Sequence, residues 1–436
     1  MLTIATNTIR LWWQTWPTLV ALYLVGWFVR YWVLQGAIEV GLAHGRIWGS
    51  LVIVLAPIVR LLTFLGMFLA IRSVTPALQH VGDDGQNPRG TTDILLTAIL
   101  PFLVIYTTWK LIYEDYYIYV TTVDFTTVFQ GDADAVREVA SGYTGGEVWA
   151  VIGIAFVLRQ LITRFRAKLP RWTMALAVYF EVLWIFLTLQ AGASALFGSP
   201  KWIAERRVMV WIGETRAELF SHFVILDDWW TWLGALVALL IPVLGLSLAW
   251  LAITAAVYGA PFTPTWSGAR RVMLGHRADV AAAHALERSR NVLQPRWQRI
   301  PGEVQSRLVE FVRGQFGRFG SIVDAGRLIL HGGLLPIAFF VAAYIGLLVL
   351  APGGAYFDIK VNDGYLFRWV ALVLGPHPWP WWESFDDAIR IAIGALIEPL
   401  RVCLVAATYW YCVEQVRAQQ AESRSAGVES DDRRQL

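Results

Sequence analysis

The chain has 436 residues, of which 56% are hydrophobic and only 16% charged, and its formal net charge is +3. A mean hydropathy of +0.50 excludes an ordinary soluble fold and points to an integral membrane protein. So small a charge gives no footing for nucleic-acid binding. Two cysteines, Cys403 and Cys412, nine apart on one predicted helix, make neither a disulfide framework nor a thiolate metal site.

A spanning helix takes about 20 mostly apolar residues. Eight stretches meet this, roughly 16–34, 47–71, 94–113, 148–163, 173–197, 229–258, 328–350 and 388–413. The first is longer than the core of a signal peptide and no small-residue cleavage site follows it, so it reads as a retained anchor. Tryptophan, at 23 residues, gathers at the ends of apolar runs, as in LWWQTW, DDWWTW and PWPWWE, which is the pattern of an interfacial aromatic belt. The expected fold is all-α: a polytopic bundle of about eight transmembrane helices forming a single membrane domain over 1–412. A polar tail, 413–436, follows, helical at first and then disordered.

Basic loops stay on the cytoplasmic side of a membrane. The basic connections are RQLITRFRAKLPRWT and the long segment 261–327, whereas the loops that begin YEDYYIYV and AYFDIKVNDG are acidic. With eight spans every basic loop falls inside and every acidic loop outside, so both termini are expected in the cytoplasm of a cell membrane. The β-branched and aromatic run YIYVTTVDFTTVF predicts a short extracellular hairpin or loop.

Val208, Trp211, Ile212, Leu219, Phe223 and Leu226 share one helical face, which predicts an amphipathic helix flat on the outer surface. Inside, ADVAAAHALERSRNVLQ and EVQSRLVEFVRGQFGRFGSIVDAGRL read as two amphipathic helices separated by Pro295 and Pro301. They either pack beneath the bundle against anionic headgroups or offer a protein partner a docking surface.

Familiar catalytic signatures are missing: there is no P-loop, HExxH, GxSxG or dinucleotide-binding glycine pattern. This lowers the expectation of an enzyme and names no cofactor. Asp124, Asp132, Asp134 and Glu138 are the acidic residues an enzyme at the outer face would use, and Asp132 and Asp134 are weak candidates for a divalent metal.

Pro57, Pro101, Pro242, Pro336 and Pro399 each fall inside a predicted span. Such breaks are tolerated within bundles and also build the binding sites of transporters. Intramembrane charge is the strongest signal. Arg60 lies near the centre of the second stretch, Glu398 and Arg401 near the centre of the eighth, and Glu181 within the fifth; Arg30, Lys110 and Arg159 lie closer to span ends and are expected to snorkel. One charge at the bilayer centre costs about 2.5 kcal/mol or more. Two arginines and two glutamates are therefore expected to neutralise one another, with Glu398 and Arg401, three apart on one helix, in direct reach.

Three function classes fit this pattern: a transporter or export component with its polar site among proline-broken helices, a non-catalytic subunit or scaffold of a larger membrane complex, and a membrane enzyme acting on a lipid-linked substrate at the outer face.

Overall fold

A computed structural model of the chain describes residues 1–79, 102, 111–130, 146–165, 168–170, 173–195, 232, 245–255, 257–258, 332–351 and 364–435. The described residues are almost all in α-helices, as a chain whose backbone must satisfy its own hydrogen bonds in lipid requires. The longer helices among the described residues are α1 (Leu2–His44), α2 (Arg46–Ile53), α3 (Leu55–Val74), α4 (Leu111–Gln130), α5 (Gly146–Arg164), α6 (Thr173–Ala195), α7 (Gly245–Ala255), α8 (Leu334–Leu350), α9 (Gly364–Leu374) and α10 (Trp379–Gln435).

Among the described residues, four helical segments are long and apolar enough to cross a membrane: Leu2–His44, Arg46–Val74, Gly146–Arg164 and Trp379–Ala418. Thr173–Thr188, Gly245–Ala255, Leu334–Leu350 and Gly364–Leu374 are apolar but shorter. The protein is thus an α-helical membrane protein. Most of the expected span 94–113, the surface helix 207–226 and the segment 261–327 lie outside the described residues.

The chain reverses after α1 at Gly45, whose φ of 100° lies where side-chain-bearing residues are strained. Helices α2 and α3 then return along α1. They are separated at Val54, and Pro57 accounts for the break: it has no N–H to offer the carbonyl of Ile53, the last residue of α2. Pro336, by contrast, lies in the first turn of α8, where a backbone donor has no helical partner anyway. It opens the helix rather than breaking it, contrary to its expected place well inside a span.

Helix α10 is the axis of the packing. All residues from Val402 to Tyr409 are buried, so this stretch is enclosed on every face rather than amphipathic. Its most apolar window is 72% buried, against 11% for that of α1, which leaves α1 at the periphery. Phe28 and Trp32 project outward there, as lipid contact asks. Tyr258 ties the centre together, donating to the Phe68 carbonyl at 2.9 Å and packing its ring 5.5 Å from that of Tyr409.

One expectation changes. Residues 111–130 form a helix and not a hairpin. The β-branched residues that suggested strands are accommodated because Thr121 and Thr126 turn their hydroxyls back to the carbonyls of Tyr117 and Thr122, both at 2.7 Å. Asp115, Tyr119 and Val123, four apart, then form the buried stripe of α4. The Tyr179 hydroxyl donates to the Leu51 carbonyl at 2.9 Å and ties α6 to α2. Past residue 413, α10 runs on to Gln435, with Val413 and Val416 buried.

Candidate functional site

Helix α10 carries Glu398, Pro399 and Arg401 in one turn. Proline cannot donate to the Ala395 carbonyl, so the helix is locally short of one bond, yet the chain stays helical through it. Spacing by three residues puts the glutamate and arginine on neighbouring positions of one face. Arg401 Nη1 donates to Glu398 Oε1 at 2.6 Å, and the two residues are only 5% and 6% exposed.

The second terminal nitrogen of the guanidinium reaches another helix. Arg401 Nη2 donates to the carbonyl of Ala351 at 2.7 Å and lies 3.5 Å from that of Leu347. Ala351 is the residue that terminates α8. The last carbonyls of a helix have no intrahelical donors and carry the negative end of its dipole. Arg401 therefore acts as a cap supplied by one helix to the C-terminus of another, and its guanidinium carbon also stands 5.7 Å from the centroid of the Tyr344 ring. Its fork of donors suits this double duty, which a point-like ammonium would not. The Nε of Arg401 has no hydrogen-bond partner among the described residues.

A second neutral pair joins α5 to α6. Arg159 binds Glu181 through two bonds, Nε to Oε2 at 2.5 Å and Nη2 to Oε1 at 3.1 Å, the bidentate geometry that makes arginine–carboxylate pairs strong. Arg159 is buried and does not snorkel as its position near a span end suggested. Glu398 and Glu181 thus each have an arginine at hand on the same helix or in the same hairpin. Arg60, partly buried on α3, also has an interaction partner.

Two further pairs fasten α4, one to the body of α1 and one to the first residue of α2. Arg30 Nε donates to the buried Asp115 at 2.6 Å, Arg46 pairs with Asp124, and the Tyr119 hydroxyl donates to the Arg46 carbonyl at 2.7 Å. Asp124, a candidate for outer-face chemistry, is therefore engaged in holding helices together. Asp132, Asp134, Pro101 and Pro242 lie outside the described residues. Among the described residues no group of three or more His, Cys, Asp or Glu side chains is placed to hold a metal, and Cys403 and Cys412 are buried free thiols.

No protein-family model, curated protein or solved structure matches this chain. Its chemistry is accordingly read from the pairs themselves. Each couples one arginine to one carboxylate inside apolar surroundings, and each joins two helices or one helix to the end of another. Such pairs neutralise buried charge at close to zero net stabilisation over an apolar packing of the same shape, and they specify which elements meet. The Arg159–Glu181 and Arg30–Asp115 contacts were hidden from the sequence because the partners are 22 and 85 residues apart. The four-residue rhythm of Asp115, Tyr119 and Val123 is the one signal that could have exposed the latter.

Proposed function

We propose that this protein is a non-catalytic subunit or scaffold of a larger assembly in the cell membrane, with both termini and the basic segment 261–327 in the cytoplasm, the segment serving as the docking surface for a protein partner. The observation that carries this reading is the closure of the Glu398–Arg401 centre. Glu398 Oε1 and both terminal nitrogens of Arg401 are spent on each other and on the end of α8, which suits an internal fastener better than a passage for solute. The apolar outer surface of α1 accounts for the lipid contact such a subunit needs.

A transporter whose polar site lies among the proline-broken helices is the second reading. Pro399 favours it, since it stands between the two charged residues in the most enclosed helix and leaves the Ala395 carbonyl without its usual donor.

Purification of the full-length protein in a mild detergent tests the first reading. A second protein in fixed stoichiometry is expected, and it is expected to remain bound to the Glu398→Leu/Arg401→Leu variant. If that variant keeps its thermal unfolding midpoint and its partner but loses the cellular activity of the wild type, the pair is a relay and the transporter reading takes over. A wild-type chain that purifies alone removes the subunit reading directly.

A further inference from the structure

Helix α9 was not among the stretches long enough to span, and the pairs described above do not involve it. Its 11 residues reach about 16 Å, roughly half the hydrocarbon thickness of a bilayer. Both of its ends are set by glycines with positive φ, Gly364 at 75° and Gly375 at 78°, so the chain can turn sharply into it and out of it.

One side of α9 is held against α10. The Phe367 ring meets Trp382 at 6.4 Å, and Arg390 of α10 lies over the same ring at 4.7 Å while bonding Asp386 at 2.7 Å. The other side carries Tyr365, Trp369, Leu372 and Val373, which are 60%, 71%, 79% and 74% exposed. At 100° per residue these four fall within an arc of about 100°. The single charge of the helix, Arg368, stands at the border of this arc, 5.8 Å from the Tyr365 ring. Exposed apolar side chains recur past the turn in the first residues of α10, where Trp379 is 77% and Phe385 47% exposed, and α10 is itself one of the helices long enough to cross a membrane.

We infer that α9 is an in-plane membrane helix that seats Trp369, Leu372 and Val373 in the headgroup and upper acyl region of the bilayer, with the Gly375–Pro378 turn feeding directly into the crossing helix α10. The partner is a lipid surface because the apolar face leads by one short turn into a span, belongs to a helix too short to cross, and carries tryptophan, as does the start of the span, a residue that favours the interfacial zone. A basic residue at the border, its stem along the apolar face and its head toward water, completes the interfacial pattern.

The test uses full-length protein reconstituted in phosphatidylcholine vesicles, with Leu372→Cys in one sample and Glu383→Cys in another, each labelled with a small environment-sensitive fluorophore. Both positions are exposed, and the native thiols at 403 and 412 are buried, so label goes to the introduced residue. Phosphatidylcholine bearing a nitroxide near the headgroup end of its chain is expected to quench the label at 372 about twofold more than phosphatidylcholine bearing it deep in the chain. Aqueous iodide is expected to quench the label at 383 and to spare that at 372. Equal iodide quenching at both sites overturns the inference in favour of a water-exposed face. Shielding at 372 from iodide and from both lipid quenchers overturns it in favour of a protein neighbour, including a second copy of this chain.

Discussion

Arginine is among the costliest residues to place in an apolar helix, so each buried one must be accounted for by its partners. Arg401 has a carboxylate, a helix-terminal carbonyl and a ring around it. The i, i+3 spacing with Glu398 made the first of these readable in the sequence. The carbonyl was not readable, because any residue can supply one and none advertises it. Replacing Arg401 by methionine leaves Glu398 buried without its partner, and we expect a loss of about 3 to 5 kcal/mol in unfolding free energy. Arg401→Lys keeps the charge but cannot serve Glu398 and Ala351 through a planar fork, so a smaller loss is expected. Denaturant unfolding in detergent, followed by circular dichroism, ranks the three proteins; equal stability of all three would remove the capping role.

At the scale of elements, close approach is set by glycines that have different surroundings. A Cβ at Gly49 would meet the Ala37 carbonyl oxygen at 2.5 Å, whereas one at Gly36 would meet nothing within 4 Å. Gly49→Ala should therefore push α2 off α1 and destabilise by about 1 to 3 kcal/mol, the range typical of overpacking. Gly36→Ala should be neutral or stabilise by up to about 1 kcal/mol through helix propensity. Thermal unfolding of the two variants side by side checks both signs. Elements differed in how legible they were. The apolar runs of α3 and α10 stood out because their composition leaves no other environment for them. Helix α4 was misread because its valines, threonines and aromatics favour strands in isolation, and only its packing against α1 and α2 decides otherwise.

For the whole molecule, composition alone placed the chain in a membrane, and the four long apolar helices agree. The number of crossings was beyond its reach, since a hydropathy count treats every apolar run as a full span. Helix α8 shows why: its 17 residues end beside Arg401, well inside the apolar run of α10, so length and register against a neighbour matter as much as hydrophobicity. The proposed orientation follows from loop charge. Single cysteines at Asp132 and Asn362 are expected to react with a membrane-impermeant maleimide in intact cells, and one at Ser289 only after lysis. The reverse pattern would invert the molecule.

Helix α10 continues from Trp379 to Gln435 without interruption, 57 residues in all, which makes it a rod of about 85 Å. From Pro399 to its far end the rod measures about 54 Å, so a bend of about 5° at that proline, where helices flex most readily, swings the tip by about 5 Å. Because Val402 to Tyr409 are enclosed on every face, the packing just past the proline is what holds the rod against such a bend. The position of its polar end is thus set by contacts made far from it.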